Sequence, residues 1–398
     1  MKTWFIYIVT VIFILLTHHA NAAQQSVVLI SIDGFRWDYI EKHNAPNLKK
    51  MAQQGVRAQK LIPVYPTKTF PNHISIITGL LPVNHGIVDN KFCDKTRMNE
   101  CYSMGKGFVD SSWLNGIPLW NLAKMQGLKS ATYFWPESDA RFNGMTPDYF
   151  YHYSKYSDYQ QRTDQIIAWL KLPKAQRPDF IASYFSLVDS MGHEFGPDSP
   201  QTRDAVQQLD TLMGQLKTRI DELNQNINLV IVSDHGMSAV DPQQSIFINS
   251  LPKDDNFKIV NTGPRLLIYT KPNTNADIAQ YKARLQKAAK GRYQVLSDEQ
   301  LNGYHYNTGP RVGNIVVQTT PPKVFTQSGR ADSLGTHGYA YTPDMAATLI
   351  AVGPAFKQGL SLDSVNNLDI YPVLAKVMGL NLLSKTDSDG STLMPALK

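Results

Sequence analysis

The sequence predicts an α/β protein with a doubly wound, mostly parallel sheet, helices on both faces and a small inserted subdomain. Short runs of β-branched residues recur along the chain, and such continuous apolar runs are typical of strands buried on both faces. Segments with helical periodicity separate them. Residues 254–325 are different, because they are rich in Lys, Gln and Asn and carry short strands of their own. We therefore divide the mature chain into a core at 23–253 and 326–398 and an inserted subdomain at 254–325.

The individual elements follow from apolar runs and from the residues that interrupt them. The predicted strands of the core cover residues 26–32, 130–134, 179–187, 228–232 and 346–352. Helical periodicity, ended in two cases by Gly55 and Gly127, predicts helices at 47–54, 72–78, 117–126, 166–172, 201–227 and 369–378. In the subdomain we predict strands at 258–260, 265–270 and 314–318 and a helix at 276–290. Residues 91–117 and the aromatic-rich segment 148–159 are predicted to be loops.

Composition sets limits on the class of protein. The chain has 398 residues, enough for one large domain with insertions or for two domains. The net charge of +6 is modest, and the sequence has no Lys/Arg cluster of the kind that follows a nucleic-acid backbone. We therefore expect no stable nucleic-acid complex. A mild positive charge favours an anionic small-molecule substrate.

The first 22 residues resemble a targeting segment. Lys2 precedes an apolar run at 4–16, and Ala20-Asn21-Ala22 has the small-x-small form that signal peptidase accepts. We expect a signal peptide at 1–22, cleaved after Ala22, and a periplasmic or secreted protein. The alternative is an uncleaved N-terminal anchor. No later stretch is apolar enough to span a bilayer, so we expect no transmembrane segment after cleavage.

The two cysteines fit an exported protein. Cys93 and Cys101 lie close together in a polar segment. In an oxidising compartment we expect them to form a disulfide that closes a surface loop. The alternative, a metal site, would have only this one pair of cysteines as ligands.

Ligand-type side chains follow three of the predicted strands. Asp33 follows the first, Asp189 the third, and Asp234-His235 the fourth. The strand ends of a doubly wound sheet converge at one edge, so these side chains should meet. His193, four residues after Asp189, and His337 lie on neighbouring loops. Three carboxylates and three imidazoles match two Zn²⁺ ions in mixed nitrogen and oxygen sites, whereas Mg²⁺ prefers oxygen ligands.

A threonine precedes a helical run and can face an anion there. Thr69 stands just before the predicted helix 72–78, and the first N–H groups of a helix attract anions. Its hydroxyl needs a base or a metal to become a nucleophile. The alternative is that Thr69 only caps the helix. Asn90, in a turn-rich loop, offers an amide that can donate to a phosphate oxygen.

These groups predict a phosphoryl-transfer mechanism. One Zn²⁺ would lower the pKa of the Thr69 hydroxyl, which attacks phosphorus, while Asn90 and the Thr69 backbone N–H hold a non-bridging oxygen. The leaving group would depart on the second Zn²⁺. That ion would then supply the hydroxide that hydrolyses the phospho-threonine.

Six segments in this order resemble the nucleotide pyrophosphatase/phosphodiesterase family of the alkaline phosphatase superfamily. The resemblance covers about residues 26–380. The segments are Asp33-Gly34-Phe35-Arg36, Thr67-Lys68-Thr69-Phe70-Pro71-Asn72-His73, His85-Gly86-Ile87-Val88-Asp89-Asn90, Asp189 with Gly192-His193 and Gly196-Pro197, Ser233-Asp234-His235-Gly236-Met237, and Gly335-Thr336-His337-Gly338.

The resemblance implies an alkaline-phosphatase-like catalytic core and a division of roles among these residues. The ion that activates the nucleophile would be held by Asp33, Thr69, Asp234 and His235, and the ion that activates water by Asp189, His193 and His337. Asn90 matches the donor to the phosphoryl oxygen. Substrate would be bound by Phe70 and Tyr153, which match positions that sandwich a nucleobase, by Tyr184 nearby, and by Trp135 and Asp139 of the family's Trp-Pro-x-Ser-Asp loop.

The predicted function is that of an exported two-zinc phosphodiesterase or nucleotide pyrophosphatase. It would hydrolyse nucleotide phosphodiester or pyrophosphate bonds to nucleoside 5′-monophosphates through a phospho-threonine. An alternative within the same fold is a glycerophosphodiester or lysophospholipid-type phosphodiesterase, because aromatic side chains can also cage a quaternary ammonium. Two further alternatives are a phosphate monoesterase and a binding module whose metals are structural.

Overall fold

The computed structural model describes residues 25–307 and 309–398, so the predicted signal peptide at 1–22 lies outside the described residues. The helices of the described part include no segment that combines the length and the apolar character needed to cross a membrane. In chain order the strands are β1 (Ser26–Ile32), β2 (Val56–Ile62), β3 (Lys91–Asp94), β4 (Glu100–Ser103), β5 (Ser130–Tyr133), β6 (Tyr149–Tyr151), β7 (Phe180–Phe185), β8 (Ile227–Val232), β9 (Ser238–Ala239), β10 (Ile246–Phe247), β11 (Phe257–Asn261), β12 (Arg265–Thr270), β13 (Gln294–Val295), β14 (Ile315–Gln318), β15 (Phe325–Thr326), β16 (Gly335–Thr336), β17 (Ala347–Val352) and β18 (Leu360–Asn366).

Helices connect most strands of the central sheet. They are α1 (Tyr39–Lys42), α2 (Pro46–Gln54), α3 (Thr69–Thr78), α4 (Pro82–His85), α5 (Leu119–Met125), α6 (Tyr159–Leu170), α7 (Leu187–Phe195), α8 (Pro200–Glu222), α9 (Ile278–Ala289), α10 (Asp298–Gly303) and α11 (Ile370–Val377). The longest, α8, begins with a proline at its first position and with Ser199 accepting a hydrogen bond from the backbone N–H of Thr202, a typical helix start.

Eight strands form the central sheet in the order β18-β2-β17-β8-β1-β7-β5-β6. β1 pairs in parallel with β7 on one side and with β8 on the other. β17 runs antiparallel to both of its neighbours, β2 and β8, so it alone in this sheet opposes the common direction. The predicted fold class, a mostly parallel doubly wound sheet, is confirmed.

Both faces of the sheet are covered, and β1 shows why its sequence is continuously apolar. Val27 and Leu29 pack with α3, α5 and α11 on one face. Val28 and Ile30 pack with α2, α6 and α8 on the other. Each fully buried aliphatic side chain contributes on the order of 2 kcal/mol of transfer free energy. A strand that is buried on both faces therefore has no solvent-facing positions for polar residues.

The predicted elements of the core are present, with shifted ends. The predicted helix at 201–227 is too long: α8 ends at Glu222, Asn224 has a φ of 51°, and residue 227 already belongs to β8. The predicted loop at 148–159 is corrected too, because its first residues form the edge strand β6, which pairs with β5. Strands β2 and β18 were not predicted, because their partly exposed, polar sequences lack the apolar run of a central strand.

The predicted loop at 91–117 contains a short antiparallel hairpin of β3 and β4. Cys93 and Cys101 are paired across it and form the expected disulfide. Phe92 and Tyr102 stack on the same hairpin and pack against Trp113. Aromatic packing therefore anchors the hairpin to the core, while the disulfide joins its two strands to each other.

A second sheet lies in the region of the predicted insertion. Strands β11, β12, β14 and β13 form it in that order, with antiparallel pairing throughout. Helix α9 packs on it through Tyr281 and Leu285. The limits of the inserted subdomain, 254 and 325, stay a prediction.

Candidate active site

The ends of three neighbouring strands define the site. β8, β1 and β7 are adjacent and parallel, so their carboxyl ends lie at one edge of the sheet. Asp33 follows β1 directly, Asp234 follows β8, and β7 leads into helix α7, which carries Asp189. Loops at this edge of an α/β sheet surround a crevice. Asp33 and Asp189 line it, and Asp234 is buried beside Asp33.

A first cluster consists of Asp33, Asp234 and His235, all buried. Each offers a ligand-type atom, and these atoms lie within 4.8 Å of one another. His235 Nε2 is 2.9 Å from Asp234 Oδ2 and 3.4 Å from Asp33 Oδ1. The donor set of two carboxylates and one imidazole suits a divalent cation such as Zn²⁺.

A second cluster consists of Asp189, His193 and His337. Asp189 and His193 are four residues apart on α7, so they share one face of the helix, and His193 Nε2 lies 3.4 Å from Asp189 Oδ1. His337 reaches the same oxygen at 3.7 Å. The two clusters adjoin, because the rings of His235 and His337 stack with their centroids 3.5 Å apart.

The three imidazoles are oriented alike. The Nδ1–H of His235 donates to the Gly236 carbonyl at 2.9 Å, that of His193 to Gly335 at 2.8 Å, and that of His337 to Thr67 at 2.9 Å. A carbonyl can only accept, so Nδ1 carries the proton and Nε2 keeps its lone pair. This is how proteins orient a metal-binding histidine.

Asp33 and Asp234 likewise each use one carboxylate oxygen to accept a hydrogen bond from the protein. Asp33 Oδ2 accepts from the Tyr184 hydroxyl at 2.5 Å, and Asp234 Oδ1 accepts from the Gly34 N–H at 3.2 Å. Within residues 25–307 and 309–398, the buried oxygens Asp33 Oδ1, Asp234 Oδ2 and Asp189 Oδ1 have no hydrogen-bond donor. Three buried carboxylate oxygens without donors at one edge of the sheet are suitable ligands for cations.

The electrostatics point the same way. Burial, followed by the charges of Asp189 and Asp234, raises the pKa of Asp33 well above its usual value, and burial with Asp189 raises that of Asp234. Burial lowers the pKa of His235 and His337. The buried carboxylates repel one another, and the neutral imidazoles do not compensate their charge. Bound cations would relieve this repulsion.

Thr69 is the first residue of α3 and points at the first cluster. Its Oγ lies 3.3 Å from His235 Nε2. In the part of the chain that the structure describes, no side chain caps this end of the helix, so the capping alternative for Thr69 is not what the structure shows. A hydroxyl at a helix N-terminus and beside a carboxylate–imidazole cluster is well placed to meet a phosphoryl group.

Asn90 lies beside Thr69, and one hydrogen bond orients its side chain. Its Oδ1 accepts from the Phe70 backbone N–H at 2.9 Å. Among the residues that the structure describes, no hydrogen bond engages its Nδ2. The amide N–H groups can therefore donate to an anion in front of Thr69.

A cavity of about 530 Å³ opens over these groups. Every residue predicted to bind substrate borders it: Phe70, Asn90, Trp135, Asp139, Tyr153 and Tyr184. Asp33, Thr69 and the second cluster line its floor. Tyr153 is 56% exposed, so one aromatic wall faces solvent.

Three of these residues also have structural contacts. Tyr184 uses its hydroxyl on Asp33, and the Trp135 Nε1–H donates to the His73 carbonyl at 3.3 Å. Asp139 lies 3.0 Å from His152 Nδ1 at the rim of the cavity. A contact with substrate by these residues stays a prediction.

The structure adds supporting residues to which the sequence analysis gave no role. The buried His73 donates from Nδ1 to the Thr69 carbonyl at 2.8 Å, while its Nε2 accepts from Ser31 at 2.8 Å. The Asn72 amide donates to the carbonyls of Pro66 and Lys68, both at 2.9 Å. All but Ser31 stand in the segment that includes Thr69, so proximity in sequence was an available signal.

Comparison with known proteins agrees with this geometry. Residues 27–340 match the model of the family described as type I phosphodiesterase/nucleotide pyrophosphatase. The chain is 32% identical over 381 residues to a venom phosphodiesterase of Naja atra, covering 92% of this chain and 46% of that protein. It is 32% identical over 383 residues to human ectonucleotide pyrophosphatase/phosphodiesterase family member 1, covering 92% and 41%. The chain thus spans about half the length of these relatives.

A solved structure shares the fold over nearly the whole chain. It is that of murine ectonucleotide pyrophosphatase/phosphodiesterase 5, an inactive threonine-to-alanine variant in complex with AMP. The TM-score is 0.87 at 26% identity, and the match covers 94% of this chain and 100% of that one.

Proposed function

The chain belongs to the type I phosphodiesterase/nucleotide pyrophosphatase family, and we propose that it hydrolyses phosphodiester or pyrophosphate bonds of nucleotides to nucleoside 5′-monophosphates. The observation that carries the proposal is the position of the Thr69 hydroxyl beside the first carboxylate–imidazole cluster, which adjoins the second. The murine relative that binds AMP supports a nucleotide as the ligand.

We propose two Zn²⁺ ions as cofactors. Asp33, Asp234 and His235, together with Thr69 Oγ, would hold one, and Asp189, His193 and His337 the other. The fit rests on the three carboxylate oxygens without donors and on the three imidazoles with Nε2 presented. When bound, the ions would neutralise phosphoryl charge and lower the pKa of the threonine hydroxyl and of water.

The residues of the chain would act in two steps. In the first, Thr69 Oγ gives up its proton to solvent and attacks phosphorus in line, the bond to the leaving oxygen breaks, that oxygen takes up a proton from solvent, and a phospho-threonine forms. In the second, water attacks the same phosphorus, which releases the nucleoside monophosphate and restores the hydroxyl. In both steps Asn90 Nδ2 and the backbone N–H of Thr69 would donate to a non-bridging oxygen as its charge grows.

The aromatic wall of the cavity suits a base. Phe70 and Tyr153 both border it, and Tyr153 packs against Phe134 at 5.3 Å between ring centroids. We propose that the base lies against Phe70 and Tyr153, since aromatic faces stack with any base.

A second candidate is a phosphodiesterase for choline-type head groups. Phe134, Tyr151 and Tyr153 border the same cavity as Asp139, and aromatic faces next to a carboxylate can hold a quaternary ammonium. Turnover of a nitrophenyl phosphocholine above that of a nucleotide diester would favour it.

We also propose that the protein acts outside the cytoplasm. The Cys93–Cys101 disulfide supports this, because such bonds persist in oxidising compartments. Recovery of the disulfide-bonded protein from the periplasm or the medium of the expressing cells would agree with it.

The test compares a nitrophenyl nucleoside 5′-monophosphate diester with nitrophenyl phosphate, with a chelator and with zinc restored. We expect turnover of the diester, loss on chelation and recovery with zinc. Faster turnover of the monoester would overturn the proposed substrate class. If neither is turned over with zinc present, the activity itself is refuted for these substrates.

A further inference from the structure

The loop that carries Asn90 is held by side chains from a distant part of the chain. This loop, residues 86–90, lies between α4 and β3. Arg311 donates to the Gly86 carbonyl at 2.9 Å, and the Tyr306 hydroxyl donates to the Val88 carbonyl at 2.8 Å. Arg265, on β12, donates to the carboxylate of Asp89. All three contacts come from residues at or after β12, none from the core strands that position the two clusters.

The Arg265–Asp89 pair is the ion pair that lies fully inside the protein among these three contacts. Both side chains are fully buried. The guanidinium also lies over the ring of Tyr65, 5.0 Å from its centroid, and close to Tyr306. Separating the two charges would leave each of them uncompensated in the interior. This cost holds both side chains in place.

Asp89 connects Arg265 to Asn90 through hydrogen bonds accepted by its two carboxylate oxygens. Its Oδ1 accepts the backbone N–H of Asn90 at 2.7 Å, while its other oxygen accepts from Arg265. Asn90 is then fixed at its far end, where Oδ1 accepts from the Phe70 N–H. A continuous series of contacts thus runs from β12 to the start of α3, where Thr69 lies.

We propose that Arg265 is a positioning residue that sets the direction of the Asn90 amide through Asp89. The inference rests on the proposed function, in which Asn90 donates to the phosphoryl oxygen. Such a donor acts by its placement, and a shift of about 1 Å can cost about 100-fold in rate. The second sheet, which contains β12, would then contribute to catalysis without touching substrate.

The first experiment replaces Arg265 with Met in the full chain and measures nucleotide-diester hydrolysis with zinc present. We expect kcat to fall by about tenfold to 100-fold while KM changes by less than about threefold, since the lost interaction belongs to the transition state. Zinc content should stay that of the wild type. The matched control is Arg284→Met, because Arg284 belongs to the same region but pairs with Asp254, at 2.6 Å, and lies over Tyr281 instead of contacting the loop. It should leave kcat unchanged.

A double-mutant cycle with Asn90→Ala separates positioning from general loss of structure. If Arg265 acts through Asn90, Arg265→Met should reduce kcat by less than about threefold in the Asn90→Ala background. An equal loss in both backgrounds, or an unchanged kcat for Arg265→Met, would overturn the proposal. The Asn90→Ala single variant tests the proposed function separately, because an unchanged kcat there refutes the donor role itself.

A milder variant covers the case in which Arg265→Met does not fold. Tyr306→Phe removes only the hydroxyl that donates to Val88 and leaves the ring in place. We expect a loss of about threefold to tenfold in kcat that again disappears in the Asn90→Ala background. A loss that persists there would contradict the role of these contacts in placing Asn90.

Discussion

At the scale of single residues, the carboxylates of the first cluster and the imidazoles of both clusters each use one polar atom for a hydrogen bond to the protein and direct the other toward the cluster. Each carboxylate of the first cluster gives one oxygen to a protein donor and keeps the other for the cluster. Each imidazole gives Nδ1–H to a backbone carbonyl and keeps Nε2. His73 presents no free ring nitrogen to a metal, because both of its nitrogens form hydrogen bonds. Burial also lowers its pKa to about 3. Its contacts therefore indicate support for Thr69 rather than metal binding.

The residue-scale prediction concerns Thr69. Thr69→Ala should lower kcat/KM for a nucleotide diester by about 1,000-fold or more, because the attacking oxygen is removed. AMP affinity should change by less than about threefold, since base and phosphate contacts remain. Both are measured with zinc-loaded protein, by initial rates and by calorimetric titration of AMP.

The control for Thr69→Ala lies on the same helix. Thr78→Ala removes a hydroxyl that donates to the Ile74 carbonyl at the other end of α3 and should keep wild-type turnover. If Thr69→Ala retained more than about a tenth of the activity, another group would be the nucleophile.

At the scale of elements, the second cluster depends on close contact between α7 and β16. Asp189 and His193 lie on α7, while His337 follows β16. A Cβ on Gly335 would lie 2.2 Å from the Gly192 carbonyl oxygen, so only glycine lets the two backbones approach this closely. The absence of a side chain at Gly335 therefore allows the ligands of the second proposed ion to lie close together.

The element-scale prediction follows from this contact. Gly335→Ala should push α7 and β16 apart, because the obstacle is backbone and cannot rotate away. We expect zinc content to fall from about two ions per chain to about one, with kcat reduced at least about tenfold. Metal analysis after gel filtration and initial rates provide the measurement.

Gly303→Ala is the matched control, since an added Cβ there meets no atom of the described residues within 4 Å. Its zinc content and kcat should equal those of the wild type. Two ions per chain in Gly335→Ala would show that the second cluster does not depend on this contact.

At the scale of the whole molecule, the site places unfavourable charge inside the fold. In the absence of cations, Asp33 and Asp234 are buried near Asp189, and their pKa values are raised. Glu137, buried beneath the hairpin, has its pKa raised by burial to about 7. Groups of this kind bind more protons in the folded than in the unfolded state, so they stabilise the fold at low pH and cease to do so as pH rises.

The whole-molecule prediction is a pH dependence of stability in chelator. The free energy of unfolding should fall between pH 6.5 and 8.0, by at most about 1.4 kcal/mol per pH unit for each carboxyl with a raised pKa. Below this window the histidines act in the opposite direction, because their folded pKa values are lowered. Above it, Lys68 opposes the fall, since burial lowers its pKa to about 8. Urea unfolding at the two pH values measures the effect.

Two comparisons make this measurement decisive. Asp33→Asn, in chelator, removes one such carboxyl and should reduce the slope. Zinc should reduce the fall in the wild type to the part due to Glu137, because the carboxylates that hold zinc stay ionised in the folded state, and stability should rise with zinc concentration. A free energy of unfolding that rises with pH in chelator across this window would contradict the charge arrangement.

The sequence by itself determined the parts of this protein that depend on local pattern. The buried strands could be predicted because a strand covered on both faces needs a continuous apolar run, as in β1. The strand-end residues Asp33, Asp189 and Asp234 could be predicted to meet because parallel strands share an edge. The spacing of Asp189 and His193 could be assigned to one point because four residues make about one helical turn.

Only the tertiary structure decided the contacts that hold these groups in place. The bond between Arg265 and Asp89 joins residues 176 positions apart, and that between Tyr306 and Val88 joins residues 218 apart. Edge strands such as β18 depend on pairing with a partner rather than on their own polar sequence. No local pattern encodes such contacts, because their energy arises from burial and charge pairing that exist only once the chain has folded.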